Sequence, residues 1–494
     1  MRAAPIPQTV INPRGGLHRS LKRPFVHRIP AETLTEIFLL VRDGSTVSSA
    51  CTGSSHDLVC AGNFALLRVT ATCLRWRLVA ANSSLLWNKI AFSTRKAASV
   101  QCAELFLGRT KDCVLCVYIS APILPDTPAM WAPMHRLFLK ISSQSHRVRV
   151  FEFFATPKTS IIYVYWTNPR INQQWTPGID SAIPSACSAF PLVESMKLSS
   201  PSWCPSIAPC LKYLDLRSNG GDGSLSSLLH ALEGCPVLEF LTLQGYRQFD
   251  DENSSYAPVT TLPKLHRLQI FFCNSAFILA FLHLPSLTHP LVIFDSDPHE
   301  GLLRCLPQGQ PGAPYLEGVS ELHVVLNMGN SQYSVTAYRE DGRTSLYLGV
   351  TTVSHPFRRE WIRGSMEAIA SFAPFSKATS ISIATDATFT LCSTWLSKMR
   401  HLSRLDLRCP DIMGYLDTLS SPVNGSPLCP SLRILALRRF RPSKNLDYGL
   451  VKACILFRRA AGCPLTSVIV PEDEWTRVRA HDASWDILVD SQGK

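Results

Sequence analysis

The segment Leu211-Lys212-Tyr213-Leu214-Asp215-Leu216 decides the fold, because its apolar-x-x-apolar-x-apolar pattern returns along the chain. Further clear copies begin at Leu238, Leu265, Leu402 and Leu432. In all but one of these copies a proline lies two residues before the first leucine. Alternate side chains of a strand point to the same face. Each copy therefore predicts a short strand that places its apolar side chains in a shared interior.

The spacing of the copies indicates a repeat. Weaker copies start at Met134, Val148, Val193, Val319, Ala378 and Leu465. The starts are 18, 27 and 27 residues apart from Val193 to Leu265, and 24, 30 and 33 apart from Ala378 to Leu465. These values bracket the period of about 20–29 residues that leucine-rich repeats have. Residues 225–232 and 450–457 have helical apolar spacing between copies. We therefore predict an α/β fold, an irregular leucine-rich-repeat β/α solenoid with a parallel sheet.

Helical patterning comes before the repeats. Pro30 suits the first turn of a helix, and it is followed by one helical apolar stripe of Leu34, Ile37, Phe38 and Val41. A second helix is predicted over residues 64–81, and residues 85–87 should pack back on it. Three short helices within residues 25–92 bury too little surface to be stable without a neighbour.

This N-terminal region resembles the F-box, in the variant common in mushroom-forming fungi. The resemblance is carried by residues 29–38 (IPAETLTEIF), 67–69 (LRV), 73–80 (CLRWRLVA) and 84–87 (SLLW). Residues 105–110 (LFLGRT) and the strand-like residues 114–119 (VLCVYI) look like the segment that joins such F-boxes to their repeats. The resemblance implies a three-helix F-box-like module in front of the solenoid.

The resemblance also implies a function, that of a non-catalytic substrate-recognition subunit of an SCF (Skp–cullin–F-box) E3 ubiquitin ligase. Such proteins bind the Skp adaptor through the F-box and a target protein through the repeats. Carried over to this sequence, the adaptor contact would be made by Ile29, Pro30, Leu34, Ile37 and Trp76. The alternative for Leu34, Ile37 and Trp76 is that they form the small core of the module itself. A leucine-rich scaffold without a ligase role, and an enzyme with a site built from distant residues, stay open.

The remaining stretches divide the chain further. Residues 1–24 predict a disordered basic tail, residues 93–190 a linker with the first irregular repeats, residues 191–475 the array, and residues 476–494 a C-terminal tail. The array has an insertion near residues 326–357, where Asp341-Gly342 predicts a hairpin. Insertions in a solenoid usually fall on one rim. An aromatic stretch is either a recognition patch for the target or a cap on the first repeats: Tyr163, Tyr165, Trp166 and Trp175.

Composition disfavours several classes of protein. Hydrophobic residues make up 46% and charged residues 17% of the 494 residues, which is typical of folded chains. The apolar run 276–282 is far shorter than the roughly 20 residues that span a bilayer, so we expect no membrane segment. The 17 cysteines, without a secretory signal, predict a reducing cytoplasmic or nuclear location. The net charge of +12 is spread along the chain, so we expect no nucleic-acid partner.

Motifs for catalysis or cofactors are missing from the sequence. It contains no G-x-S-x-G, HExxH, P-loop or dinucleotide fingerprint. The pair Cys113-x-x-Cys116 has no second pair at zinc-ribbon spacing and precedes apolar residues. It therefore predicts part of a buried strand rather than a metal site. We expect no catalytic residues, no metal and no cofactor.

Overall fold

The computed structural model describes residues 28–44, 55–93, 97–121, 128–155, 190–199, 209–217, 225–245, 259–271, 275–295, 316–327, 332–351, 358–385, 393–410, 412–422, 426–438, 447–471 and 489–490. Over these ranges the chain is a mixed α/β protein with a large, mostly parallel sheet. The α/β class predicted from the sequence is confirmed.

The described helices fall into an N-terminal group and a series that alternates with strands. The N-terminal group is α1 (Ala31–Gly44), α2 (Ser55–Thr70) and α3 (Leu74–Asn82), followed by a 3-10 turn (Ser84–Trp87). We call α1, α2, α3 and this turn the head. The others are α4 (Ala97–Arg109), α5 (Pro128–Ser142), α6 (Leu225–Glu233), α7 (Ser275–Ala280), α8 (Arg358–Ser371), α9 (Ala373–Ser376), α10 (Ser393–Lys398), α11 (Ile412–Ser420) and α12 (Tyr448–Ala460).

The strands are short, as the sequence pattern predicts. They are β1 (Lys89–Ser93), β2 (Leu115–Ala121), β3 (Val148–Ala155), β4 (Ser195–Ser199), β5 (Tyr213–Arg217), β6 (Phe240–Gln244), β7 (Thr260–Thr261), β8 (Arg267–Phe271), β9 (Leu282–His283), β10 (Leu291–Asp295), β11 (Val319–Asn327), β12 (Gln332–Arg339), β13 (Thr344–Thr351), β14 (Ser380–Thr385), β15 (Arg404–Arg408), β16 (Ile434–Arg438), β17 (Ser467–Pro471) and β18 (Val489–Asp490).

One sheet contains 16 of these strands in the order β1-β2-β3-β4-β5-β6-β8-β10-β13-β12-β11-β14-β15-β16-β17-β18, and β7 pairs with β9 beside it. Neighbours are parallel except where β12 meets β11 and β13. The register of the five clear copies is regular, so Leu214 aligns with Leu241, which aligns with Leu268. Each strand therefore stacks on its predecessor in equivalent positions.

One face of this sheet packs against the hydrophobic core. All three apolar positions of each clear copy are at most 1% exposed, from Leu211 to Leu437. Helices α6 and α12, which the sequence predicts between copies, add Leu228, Leu232 and Val451 to the same interior. Burying one such side chain contributes about 1.5–3 kcal/mol, so the repeated pattern drives folding. The opposite face of the sheet, which we call the open face, is partly exposed.

A meander interrupts the regular order. The chain passes from β10 to β11, returns through β12 and β13, and only then continues to β14, so that β13 lies beside β10. The predicted hairpin is confirmed, because β12 and β13 pair in antiparallel fashion around Gly342, whose φ is +76°. The predicted insertion is not a rim excursion. Its strands fill the middle of the sheet, because their alternating residues Val335, Ala337, Leu346 and Leu348 are all buried.

Some predicted elements need correction. The copy at Met134 lies in helix α5 and not in a strand, because its buried residues follow helical spacing: Met134, Leu137, Phe138 and Ile141. The predicted helix over residues 64–81 is two helices, α2 and α3. The break falls at Cys73, whose backbone is extended and whose thiol accepts a hydrogen bond from the amide of Trp76. Part of the predicted C-terminal tail, β18, pairs with β17.

Candidate protein-docking face on the head

Helix α1 divides its apolar side chains between the core and the surface. Leu34 and Phe38 are fully buried, whereas Ile37 is 37% and Leu40 is 71% exposed. Leu34 is therefore removed from the predicted adaptor contacts, because its side chain already packs inside the head. Ile37 keeps the accessibility that such a contact requires.

Helix α3 exposes a pair of leucines. Leu74 is 67% and Leu78 is 53% exposed, and their i, i+4 spacing places them on one side of the helix. Leu85, in the 3-10 turn that follows, is 54% exposed. Exposed apolar side chains that lie together on a monomer mark interaction surfaces more often than scattered ones do.

A groove runs between α1 and α3, and we call it the head groove. It has a volume of about 620 Å³ and is open to solvent. Its α1 wall is formed by Ala31, Glu32 and Thr35. Its α3 wall is formed by Leu74, Arg75, Leu78, Val79, Asn82 and Ser83. The head groove is thus lined by an exposed leucine pair on one side and by the first turns of α1 on the other.

The other predicted contact residues lie near the head groove with different accessibility. Pro30 is exposed immediately before α1, and Ile29 is partly buried against the core. The carbonyl of Ile29 accepts a hydrogen bond from the Arg75 guanidinium, which ties the start of α1 to α3. Trp76 is also partly buried, because its ring packs edge-on against Phe38 with centroids 5.4 Å apart. Trp76 therefore holds α1 against α3 from inside.

Polar contacts fix the angle of α1 on the rest of the head. The buried Arg42 guanidinium donates hydrogen bonds to the carbonyls of Leu85 and Leu86, 2.8 and 3.1 Å away. Asp43 accepts from Arg42 at 2.8 Å and from Lys89 at 2.9 Å. Burial acts to raise the pKa of Asp43, but the hydrogen bonds from Arg42 and Lys89 outweigh it and hold that pKa below its ordinary value. The head is thereby anchored to β1.

Helices α1 and α2 approach so closely that one position accepts no side chain. A Cβ added to Gly62 would overlap the carbonyl oxygen of Arg42. The close approach holds α1 against α2, while Ala31, Glu32 and Thr35 of α1 border the head groove.

Sequence reasoning missed Leu40, Leu74, Leu78 and Leu85 as exposed surface. For α3 the sequence contains a signal of this exposure. Leu74 and Leu78 have i, i+4 helical spacing, and Trp76 between them takes the inward position. The predicted recognition residues Tyr163, Tyr165, Trp166 and Trp175 lie outside the described residues.

The described residues bear on the expected metal and membrane chemistry. Within the described ranges, no group of three or more His, Cys, Asp or Glu side chains is placed to hold a metal ion. Among the described helices, none combines the length and apolarity that crossing a membrane requires. The predicted strand after Cys113 is confirmed as β2, whose Leu115, Val117 and Ile119 face the core.

Comparison with known proteins adds no relative. A scan against protein-family models found no match, and a search of curated proteins found none.

Proposed function

We propose that this chain is the substrate-recognition subunit of an SCF-type E3 ubiquitin ligase. In this proposal the head is an F-box that binds the Skp adaptor, and the strands and helices after it form a leucine-rich-repeat solenoid that binds a target protein. The chain itself is a non-catalytic receptor and acts in the cytoplasm or the nucleus.

The observation that carries the proposal is the apolar surface of the head. Four large apolar side chains of α1 and α3 are at least 37% exposed: Ile37, Leu40, Leu74 and Leu78. Burying each against a partner would contribute about 1.5–3 kcal/mol before the cost of association. A partner with matching apolar residues would cover the pair on α1, the pair on α3, or both, and the resemblance of residues 29–87 to an F-box suggests the Skp adaptor as that partner.

The solenoid half of the proposal is supported by the strand order. Parallel strands follow one another from β1 to β6 in chain order, and from β14 to β18 they do so again. Clear copies of the leucine pattern supply β5, β6, β8, β15 and β16, and their leucines occupy equivalent registered positions. Such an array leaves one sheet face and its loops open for a second molecule.

Co-purification with the adaptor tests the proposal. The tagged full-length chain is expressed together with a Skp-type adaptor and a cullin, and bound proteins are identified by mass spectrometry. We expect both in the purified complex, and we expect Ile37→Asp to abolish it. The matched control is Leu139→Asp on α5, because Leu139 is also partly exposed, at 44%. Retention of the adaptor by Ile37→Asp, or its absence from the wild-type complex, would favour a scaffold without a ligase role.

A further inference from the structure

The open face carries a group of arginines on β15 and β16. Arg404, Asp406 and Arg408 alternate with the buried Leu405 and Leu407, so all three point away from the core. On the next strand Arg438 lies on the same face and in direct register with Arg408. Arg408 and Arg438 are both exposed. Three guanidinium groups therefore share a small area of the open face.

On the described residues of β15 and β16, these arginines outnumber the acidic side chains beside them. The carboxylate of Asp406 lies 3.3 Å from Arg438 and 3.9 Å from Arg404. Arg408 has no acidic partner among the described residues. Counted over the described residues of β15 and β16, three arginines and one aspartate carry a net charge of +2, and like charges in direct cross-strand register destabilise a sheet. An anion above Arg408 and Arg438 would remove that repulsion.

Two other described cations of the open face lie beside acids. Lys197 lies 3.2 Å from Glu152, and Arg217 lies 3.0 Å from Asp215. Arg217 also ends its strand, as Arg408 and Arg438 do, but its carboxylate partner is almost fully buried beside it. Arg267 on β8 has no acid partner among the described residues, but no second arginine is in register with it. The direct pairing of two exposed arginines at β15 and β16 is therefore a local feature.

An exposed apolar side chain lies in the same registered row as Arg408. The registered row that contains Arg408 continues through Ala384 on β14 to Val325 on β11. Val325 is 43% exposed. Strands are about 4.8 Å apart, so Val325 is about 10 Å from Arg408, a distance that neighbouring side chains of an extended peptide can span. A ligand with both an acidic and an apolar side chain fits this row better than an isolated anion does.

We propose that the open face at β14–β16 binds an acidic peptide segment of the target, with its anionic side chains on Arg408 and Arg438. Guanidinium groups bind carboxylate and phosphate in the same two-point geometry, so glutamate and phosphoserine are two sources of one chemistry. A nucleic acid fits less well, because the group is confined to two strands and contains a carboxylate, whereas nucleic-acid grooves follow the backbone with continuous positive charge. This inference deepens the proposed function by naming the target's chemistry.

Peptide binding by the full-length chain, without adaptor, tests the inference. The probes are fluorescein-labelled peptides of about 12 residues, enough to cross several strands. One contains leucines and a central run of glutamates, one has phosphoserines in place of the glutamates, and one has lysines there. We expect the first two to bind and the lysine peptide not to bind. Whichever acidic peptide binds more tightly identifies the source of the anion.

Variants locate the site. We expect Arg408→Glu combined with Arg438→Glu to weaken binding of the acidic peptides at least about tenfold, and the corresponding glutamine pair to weaken it less. The matched control is Arg267→Glu, an exposed arginine on the open face at β8, six strands from β15 in the sheet order. It should leave binding within about twofold. Circular dichroism and thermal midpoints establish that each variant is folded.

Specific outcomes would overturn the inference. These are no binding of either acidic peptide at about 1 mM, equal losses in Arg267→Glu and the double variant, or tighter binding of a single-stranded oligonucleotide of similar length through the same arginines. Adaptor binding is measured separately on the same variants. The double glutamate variant should retain it, so failure at β14–β16 and failure of the head are distinguishable.

Discussion

Helices α1 and α3 of the head differ from α11 and α12 in how they use their apolar side chains. In α11 the large apolar residues face inward, with Ile412, Tyr415, Leu416 and Leu419 all buried. Helix α12 buries Val451 and Cys454 and exposes one leucine, Leu456. Helices α1 and α3 expose two large apolar side chains each. Helices α11 and α12 thus turn most of their large apolar side chains inward, whereas α1 and α3 leave large apolar side chains exposed.

We expect the largest loss of stability from weakening the junction between the head and the sheet. Trp87 is fully buried at their junction, edge-on to Phe106 at 4.9 Å, and its indole N–H donates to the Ala80 carbonyl at 2.7 Å. We expect Trp87→Ala to lower the free energy of unfolding by about 3–5 kcal/mol, through the cavity and the lost contacts. Denaturant unfolding measures this. Leu85→Ala, two residues away and 54% exposed, should cost under about 0.5 kcal/mol, and equal effects would contradict the packing described.

The next largest loss of stability is expected where α1 and α2 approach each other. Because a Cβ at Gly62 would overlap the Arg42 carbonyl oxygen, we expect Gly62→Ala to cost about 2–3 kcal/mol and to weaken adaptor binding. Hydrogen exchange should show faster exchange in α1 and α2, with β14–β17 unchanged. Gly44→Ala is the control, since nothing lies within 4 Å of a Cβ there. Wild-type exchange in Gly62→Ala would show that the head does not depend on this approach.

The sequence predicts the array better than the head, for a physical reason. Apolar residues at fixed spacing predict a strand such as β5, and the same spacing recurs on its neighbours. Strand β10 was missed because its apolar residues Leu287, Leu291 and Ile293 have one residue more between the first two than the pattern allows. The order of β11, β12 and β13 depends on which long-range partners they find, which local periodicity does not encode.

The candidate site was predictable in part for a related reason. Helical periodicity identified α1, and Pro30 and Ile37 are exposed as a docking role requires. The periodicity could not say which of Leu34 and Ile37 faces inward, because both belong to one apolar stripe. That choice is made by α2 and α3, whose separate existence depends on the break at Cys73.

A smaller loss of stability is expected in the sheet, at the turn between β12 and β13. Gly342 has a φ of +76° and open space around it, so Gly342→Ala changes the backbone energy without a clash. We expect a loss of about 1 kcal/mol in the free energy of unfolding and unchanged adaptor binding. Gly108→Ala in α4, also in open space but helical, should have the opposite sign. A loss of adaptor binding in Gly342→Ala would show that the head and the meander are coupled.

The smallest expected effect concerns pH. The folded-state pKa of Asp43 lies below its ordinary value of 3.8, so its contribution is present above that value and is lost as pH falls through the folded-state pKa. We expect Asp43→Asn to lower the thermal midpoint near neutral pH, and the difference from the wild type to shrink only as pH falls below 3.8, through the folded-state pKa. Asp417→Asn, at an exposed position of α11, is the control. A constant difference across this range would contradict the ion pairs with Arg42 and Lys89.

Calorimetric titration of the purified full-length chain with a Skp-type adaptor tests the central claim most directly, comparing Leu78→Asp with Leu456→Asp, whose leucines are 53% and 52% exposed in the wild type. A charge in the head groove should cost about 3 kcal/mol, so Leu78→Asp should raise the Kd roughly a hundredfold, and Leu456→Asp should match the wild type. Equal Kd values for all three proteins, or no heat of binding with the wild type, would contradict the assignment of the head as an adaptor-binding module.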